Sequence, residues 1–544
     1  MRIIDIEIEG YKSIKDQHFS PGNLSVLIGK NNSGKSNVID MLNDFKEYFD
    51  KPSPGGDWLE SRGYKGEEPK ISLGFHFVLE QDEHNRILRD LDDKLEMYSK
   101  SNNTLREVRA YRNFNSDGTD ASNVLIKFDD HWIDAYELED DDDFPHYFAN
   151  DLKNVINNSI NSWQFIDPFR KPNTKTSPAQ VEQMDATGKD LIRALESLRS
   201  SPNYDIYESV SDAFVEIMEN VEDVRIEYDT ASPRNEYTIF VKENGFDKRF
   251  KASEISSGTL EILMLLTRLY SADENTDLLA IEEPELHLHP GAEKKIFDIL
   301  NELISDVGPQ VILTTHSEVF VNRSHVDNIV LVTRDKESKF RSVQTGENDH
   351  LDILGYNNSD LIQSDAIGFV EGRSDKVILE QFSKKLGKSL SDNNIELIVG
   401  HGDQIIKDAD PITRVLGQLG IEYKFIFDSD GENPDKKSDK LGDTLNVSPS
   451  KIYVFEEYSI ESYLMSSPEA IAKSINENPK EIRQFVQKNW SGNNATGVLD
   501  DLYRQYLGIG YNKENNGAQI VSHFERDDID EEIDDLISNL MGMT

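Results

Sequence analysis

The sequence predicts an α/β protein with a second, parallel-sheet unit behind the first. Three observations predict it. A short apolar strand, Asn23–Ile28, runs into Gly29-Lys30-Asn31-Asn32-Ser33-Gly34-Lys35-Ser36 and then into a helical stretch, Asn37–Phe49. Two more apolar strands end in polar clusters, Leu278–Glu285 and Val311–Ser317. From Ala366 onward strands and helices alternate, the pattern of parallel βαβ units.

Composition bounds the rest. At about 150 residues per domain, a chain of 544 residues is expected to hold three or four domains. Acidic residues number 102 against 58 basic ones, a formal charge of −44. Contacts to nucleic acid must therefore come from local patches. With no cysteine there is no disulfide framework, thiolate zinc site or cysteine nucleophile. No apolar run approaches about 18 residues, so no membrane span is expected. The chain opens on strand-like MRIIDIEIEG without a signal peptide, which makes the cytoplasm the expected location.

In order, Arg2 to Ile28 alternates in the manner of strands, and Pro52–Trp58 is a loop. Ile71–Leu79 is a strand, Glu80–Tyr98 a charged helix and Asn123–Asp129 a strand. Glu137–Asp143 lacks the glycine and spaced ligands of a calcium loop and reads as a solvated loop. Ser177–Val224 carries two helical patterns resembling an inserted hairpin, and strands return at Val224–Tyr228 and Tyr237–Val241. No heptad array lies between Ser36 and Glu254, so no long coiled-coil arm is expected.

The glycine-rich segment fits the phosphate-binding pattern G-x-x-x-x-G-K-[ST] at every fixed position, in a strand–loop–helix context. Gly29, Asn31, Asn32, Ser33, Gly34, Lys35, Ser36 and Asn37 are the candidate nucleotide contacts. Lys35 would meet the β- and γ-phosphates and the Ser36 hydroxyl a Mg²⁺ ion. Glu282 and Glu283 end a buried strand, where two acids make sense beside a cation or reactive water. Glu282 suits the Mg²⁺ shell and Glu283 the attacking water. His316, at a strand end, reads either as a structural histidine or as a γ-phosphate sensor. The segment Glu254–Leu260 places Ser256 and Gly258 at a helix start, which suits an anion or an ordinary cap.

In the second unit, strand Ile367–Val370 ends at Glu371, with Asp375 opening a helix, and strand Tyr423–Phe427 ends at Asp428 and Asp430. Open α/β sheets place their sites at such strand ends. Asp428 and Asp430, two apart, would share one side of an extended segment. Four gathered acids repel one another, and hard oxygen ligands suit Mg²⁺ or Mn²⁺. Lys436, Lys437 and Lys440 form a basic loop that meets a phosphate backbone or merely solubilises the surface. Asp528–Leu540 is an acidic amphipathic helix with Ile529, Ile533, Leu536, Ile537 and Leu540 on one face.

The first four motifs, in this order, resemble an ABC-type ATPase head: GKNNSGKS as Walker A, ISSGT as signature, LLAIEEPE as Walker B and His316 as switch histidine. The second half resembles a Toprim domain, and the two together resemble the OLD (overcoming lysogenisation defect) nucleases. Glu282 in place of aspartate and ISSGT in place of a double-glycine signature are usual in that branch. The resemblance implies a head over residues 1–176 and 225–350, a helical dimerisation insert over 177–224 and a Toprim domain over 360–544. It implies a homodimer or larger, with Ser256 and Gly258 acting in trans, and Gln164 as a candidate Q-loop glutamine. Glu371, Asp428 and Asp430 would ligate one metal, Asp375 and Glu461 a second, with Glu457 competing for the last place. Lys513 would assist. The implied activity is ATP-regulated, metal-dependent cleavage of DNA in anti-phage defence, with a possible companion protein or RNA. Cleavage of RNA such as tRNA, or a nucleotide-switched scaffold, are the alternatives.

Overall fold

The computed structural model describes residues 1–52, 55–65, 70–79, 107–115, 121–128, 131–135, 148–177, 184–202, 204–229, 236–272, 276–304, 308–342, 359, 364–400 and 403–543. The expected helix Glu80–Tyr98 and the acidic run Glu137–Asp143 lie outside the described residues. The chain divides into two compact units, Met1–Ser342 and Val343–Thr544.

The first unit contains β1 (Arg2–Tyr11), β2 (Ile14–Phe19), β3 (Leu24–Ile28), β4 (Lys70–Val78), β5 (Glu107–Asn115), β6 (Ala121–Phe128), β7 (His131–Asp134) and β8 (Gln164–Ile166). It continues with β9 (Val221–Tyr228), β10 (Tyr237–Glu243), β11 (Arg249–Lys251), β12 (Leu278–Glu282), β13 (Gln310–Thr314), β14 (Ile329–Arg334) and β15 (Ser338–Ser342). One six-stranded sheet has the order β15-β14-β3-β13-β12-β8 and is parallel except for β15. Every residue of β3, β12 and β13 is buried except Glu282. Such continuous apolar runs belong to strands covered on both faces. A second six-stranded sheet, β2-β1-β4-β5-β6-β7, is antiparallel, and β5 shows the strict alternation of a sheet with one buried face.

The helix Lys35–Tyr48 lies in the core shared by these sheets. Its Val38, Met41, Leu42 and Phe45 join Ile6, Ile8, Phe75 and Phe77 from one sheet and Leu278, Ala280 and Ile312 from the other. The Phe45 and Phe75 rings meet at a tilt of 40°, with centroids 4.1 Å apart. Gln310 sews the sheets together, accepting from Ile3 N (2.6 Å) and donating to Ile3 O (2.9 Å). The start of this helix is therefore held from both sides.

The two helices within 177–224 are Leu191–Arg199 and Tyr204–Ile217. They pack on the helix Ser257–Ser271 and on β9 and β10, burying Leu191, Ile192, Leu195, Val210, Phe214 and Ile217. The expected hairpin is thus built into the first unit, and the first helix starts later than its sequence pattern. The reason is a turn at Gly188, where φ is +75° and an added Cβ would lie 2.4 Å from Met264 Cγ.

The second unit has four parallel strands, β16 (Ala366–Val370), β17 (Ile395–Val399), β18 (Glu422–Phe427) and β19 (Ile452–Val454), in the order β17-β16-β18-β19. The chain leaves β16 toward β17 and later crosses to β18 on the other side. The connections after β16 and β18 diverge, which makes their C-terminal ends a topological switch point. The lysines expected on a loop lie on the helix Pro434–Leu445, begun by an Asn433 cap and a proline at its first position. Five further helices, from Pro468–Ile475 to Glu531–Met541, complete the unit. In the last, Ile533, Leu536, Ile537 and Leu540 are fully buried in the unit's core.

Leu540→Ala should therefore lower the stability of the second unit by about 2–5 kcal/mol, the usual cost of a cavity at a buried leucine. Thermal unfolding checks it; an unchanged transition would mean that the helix is not part of the core.

Candidate nucleotide and carboxylate sites

The glycines of the phosphate-loop segment are demanded by the chain's own packing. Gly29 and Gly34 have φ of +148° and +111°. A Cβ on Gly29 would lie 2.1 Å from the Val332 carbonyl oxygen, and one on Gly34 2.3 Å from Ser338 Oγ. Ser338 Oγ donates to the Ser33 carbonyl (2.5 Å) and meets Ser13 Oγ (2.6 Å), while Asn37 Nδ2 donates to Ser13 Oγ (2.6 Å). The Arg334 side chain donates to Asn32 O at 3.1 Å. No side chain caps the helix at Gly34, so its first amides are of the kind that meets an anion. Lys35 Nζ donates to the Gly29 and Lys30 carbonyls at 2.8 and 3.2 Å. Burial pulls the Lys35 ammonium down, and Glu283 and Glu285 oppose the shift.

Parallel pairing brings the ends of β3, β12 and β13 together beside this loop. Glu282 hydrogen-bonds the Ser36 side chain. Burial pushes its carboxyl up to about 7, Asp40, Asp167 and Glu283 push the same way, and Ser36 opposes them. Glu283 has φ +44°, and its amide donates to Thr314 O at 3.0 Å. Glu285 accepts from the His316 amide at 2.7 Å, and burial pushes its carboxyl up. His316 is pulled down by burial and by Lys35, which keeps the ring neutral at pH 7. The loop, Glu282, Glu283 and His316 thus form one group.

Ser256 caps the helix Ser257–Ser271, accepting from Thr259 N at 3.1 Å. Gly258 packs on His287, which pairs with Glu261 at 3.2 Å. Gln164 is at the far end of β8 from the loop, donating to Thr276 Oγ1 (3.0 Å) and accepting from Arg268 (3.2 Å). Residues at the near end, Asp167 and Arg170, were not singled out in the sequence.

In the second unit, Glu371 follows β16 and accepts from the Asp428 amide at 2.9 Å. Asp428 follows β18 and accepts from Ile460 N at 3.2 Å. Asp375 turns back on its own helix start, accepting from Gly372 N (2.8 Å) and Ser374 Oγ (3.0 Å). Glu461, 1 % exposed, sits on the short helix Ile460–Ser466, with Oε1 3.1 Å from Lys513 Nζ and no hydrogen-bond partner. Burial pushes the Asp428 carboxyl up to about 8, with Asp375, Glu371 and Glu461 adding to the shift. Burial likewise pushes Glu371 and Asp375 up.

Two expectations change. Asp430 does not continue an extended segment: its φ is +51°, its amide donates to Tyr458 O (3.1 Å) and its exposed carboxylate pairs with Lys437 (2.7 Å). It still lies close enough to raise Glu371. Glu457 faces Glu532, Asp530 and Glu456 rather than the group around Asp428.

Among the described residues no group of three or more His, Asp or Glu side chains is set at metal-holding distances. Glu371 and Asp428 each commit one oxygen to an amide, leaving the second as a hard donor, and Glu461 Oε1 is buried against the Lys513 ammonium. These are hard oxygen donors of the kind that suit Mg²⁺ or Mn²⁺. Among the described residues, too, no helix is long and apolar enough to cross a membrane.

The family description "AAA ATPase domain" matches residues 1–321. A second, "Overcoming lysogenization defect protein-like, TOPRIM domain", matches residues 363–430. The chain belongs to the AAA ATPase domain family. With its second match it is an OLD-family ATPase–Toprim fusion. This OLD-family chain is similar to the Old nuclease of Escherichia phage P2, 27 % identical over 172 residues, 29 % of this chain and 28 % of that protein. It is similar to protein ea59 of Escherichia phage lambda, 26 % identical over 203 residues, 35 % of this chain and 34 % of that protein. The matches thus span about a third or less of these two phage proteins. Endonuclease GajA of Bacillus cereus (strain HuB5-5) is 21 % identical over 93 % of this chain and 90 % of that protein.

The raised Asp428 has a consequence for stability. The folded state holds a proton that the unfolded chain releases, so without divalent cations stability should fall as pH rises from about 4 to about 8. Asp428→Asn removes that fall and should unfold at a higher temperature than wild type near pH 9. Equal unfolding temperatures there would contradict the burial of the charge.

Proposed function

We propose that this OLD-family chain is a divalent-metal-dependent DNA endonuclease regulated by ATP, acting as a homodimer or larger assembly in anti-phage defence. One observation carries the reading: Glu371, Asp375, Asp428 and Glu461 converge, with Lys513, at the switch point of a parallel sheet. The similarity to proteins named nuclease and endonuclease supports it.

Glu371 and Asp428 would hold the first divalent cation, with Asp430 beside it, and Asp375 and Glu461 would serve a second. A bound cation of this kind supplies Lewis acidity and an activated water. Lys513 would hold positive charge against the scissile phosphate, kept in place by Glu461. Depositing DNA beside a chain of charge −44 requires that local neutralisation.

In the first unit the loop amides and Lys35 would bind the phosphates of ATP. Ser36 and Glu282, already hydrogen-bonded, would hold its Mg²⁺. Glu283 would orient the attacking water and neutral His316 would accept or donate a hydrogen bond at the terminal phosphate. In the dimer Ser256 and Gly258 of one copy would close the nucleotide site of the other. ATP would then shift the population of the cleavage-competent form by its differential affinity for it.

Supercoiled plasmid tests the reading, incubated with Mg²⁺ or Mn²⁺ with and without ATP. Wild type should nick it and chelation should abolish nicking. Asp428→Ala should lose more than the about 10–100-fold that an outer-shell partner costs. Lys35→Ala should keep metal-dependent cleavage but lose its response to ATP. Undiminished nicking by Asp428→Ala would overturn the site, and preferential digestion of tRNA in a parallel reaction would move the substrate to RNA.

A further inference from the structure

The loop after β8 carries an arginine that none of the sequence motifs requires. Arg170 is 3 % exposed. One terminal nitrogen of its guanidinium donates to the Glu282 carbonyl at 3.3 Å and to the Glu283 carbonyl at 3.1 Å. Those two carbonyls belong to the peptide planes on either side of the Glu283 Cα. Their orientations set φ and ψ of Glu283, whose φ is +44°. A non-glycine residue stays in that region only when its surroundings over-determine it. The two Arg170 bonds, with the bond from Glu283 N to Thr314 O, do so.

The same arginine faces the helix that the signature segment begins. The carboxylate of Glu261 is its strongest charged neighbour, followed by Glu285, Asp167 and Glu283. Glu261 is 6 % exposed and lies on Ser257–Ser271, one turn after Ser257. Nε and the other terminal nitrogen of Arg170 are buried without hydrogen-bond partners. Arg170, Glu261, His287 and Ser257 line a cavity of about 520 Å³. Four carboxylates around the guanidinium disfavour an anion there and favour a mechanical role.

We propose that Arg170 is a positioning residue for ATP hydrolysis. It clamps the two peptide planes that aim Glu283, on the wall of a cavity that the helix Ser257–Ser271 also lines. The inference rests on the reading of the first unit as a working ATPase.

ATP turnover by the full chain tests it, with ATP affinity measured separately using a fluorescent ATP analogue. Arg170→Gln keeps an N–H donor but loses the charge and the planar fork, so kcat should fall by about 100-fold, the scale of a misplaced catalytic group. Affinity for the analogue should stay at the wild-type value, because Arg170 touches none of the phosphate loop. Arg170→Lys keeps the charge among the four carboxylates and should restore part of kcat. If Arg170→Gln unfolds, Arg170→Lys decides: lowered kcat at unchanged affinity supports the clamp, and wild-type kcat overturns it. Parallel loss of affinity and kcat would also overturn it, as a structural role. A wild-type chain that binds ATP without turning it over would overturn the ATPase reading, and this inference with it.

Discussion

Repulsion among buried carboxylates is the constraint on which the second unit depends. Glu371, Asp375, Asp428 and Glu461 come from four different places: the ends of β16 and β18, a helix start and the turn Ile460–Ser466. Nothing in the hydrophobic core asks for them. Isolated, each would lose several kcal/mol of hydration on burial. Backbone amides of Gly372, Asp428 and Ile460 offset part of this, and Lys513 offsets another part. Asp428 nevertheless remains pushed up to about 8, so the offset is incomplete.

The first unit carries a related arrangement around its glycine-rich loop. The helix Lys35–Tyr48 is gripped by two sheets, so the loop before it has one trajectory. That trajectory forces glycine at Gly29 and Gly34, because Val332 and Ser338 occupy the space a side chain would need. The acids at the end of β12 are then brought to the loop by parallel register rather than by chance. In both units the candidate site residues sit at strand ends, and buried apolar strands fix where those ends lie.

Much of this was legible in the sequence, for physical reasons that can be named. The apolar runs LSVLI, LLAIE and QVILT cannot be surface strands, so the residues that end them had to converge. The alternation after Ala366 marked a parallel sheet in the same way. Other features depended on contacts distant in the chain. Asp430 reads as the partner of Asp428 until the Tyr458 carbonyl and Lys437 turn it outward. Gln164 reads as a site residue until the register places it at the wrong end of β8. Arg170 has no motif to mark it, since its role follows only from the two carbonyls within its reach. The helices that bury Leu191 and Phe214 read as an inserted hairpin because their partner, the helix Ser257–Ser271, comes later in the chain, beyond β9, β10 and β11.

We propose that the carboxylate group of the second unit takes up a divalent cation. Titration of the full chain with Mn²⁺, followed by calorimetry in buffers of different ionisation heat, tests it most directly. Mn²⁺ should bind without nucleotide, fail to bind in Asp428→Ala and release about one proton per ion near pH 7. Binding unchanged by Asp428→Ala, or binding with no proton released, would contradict it.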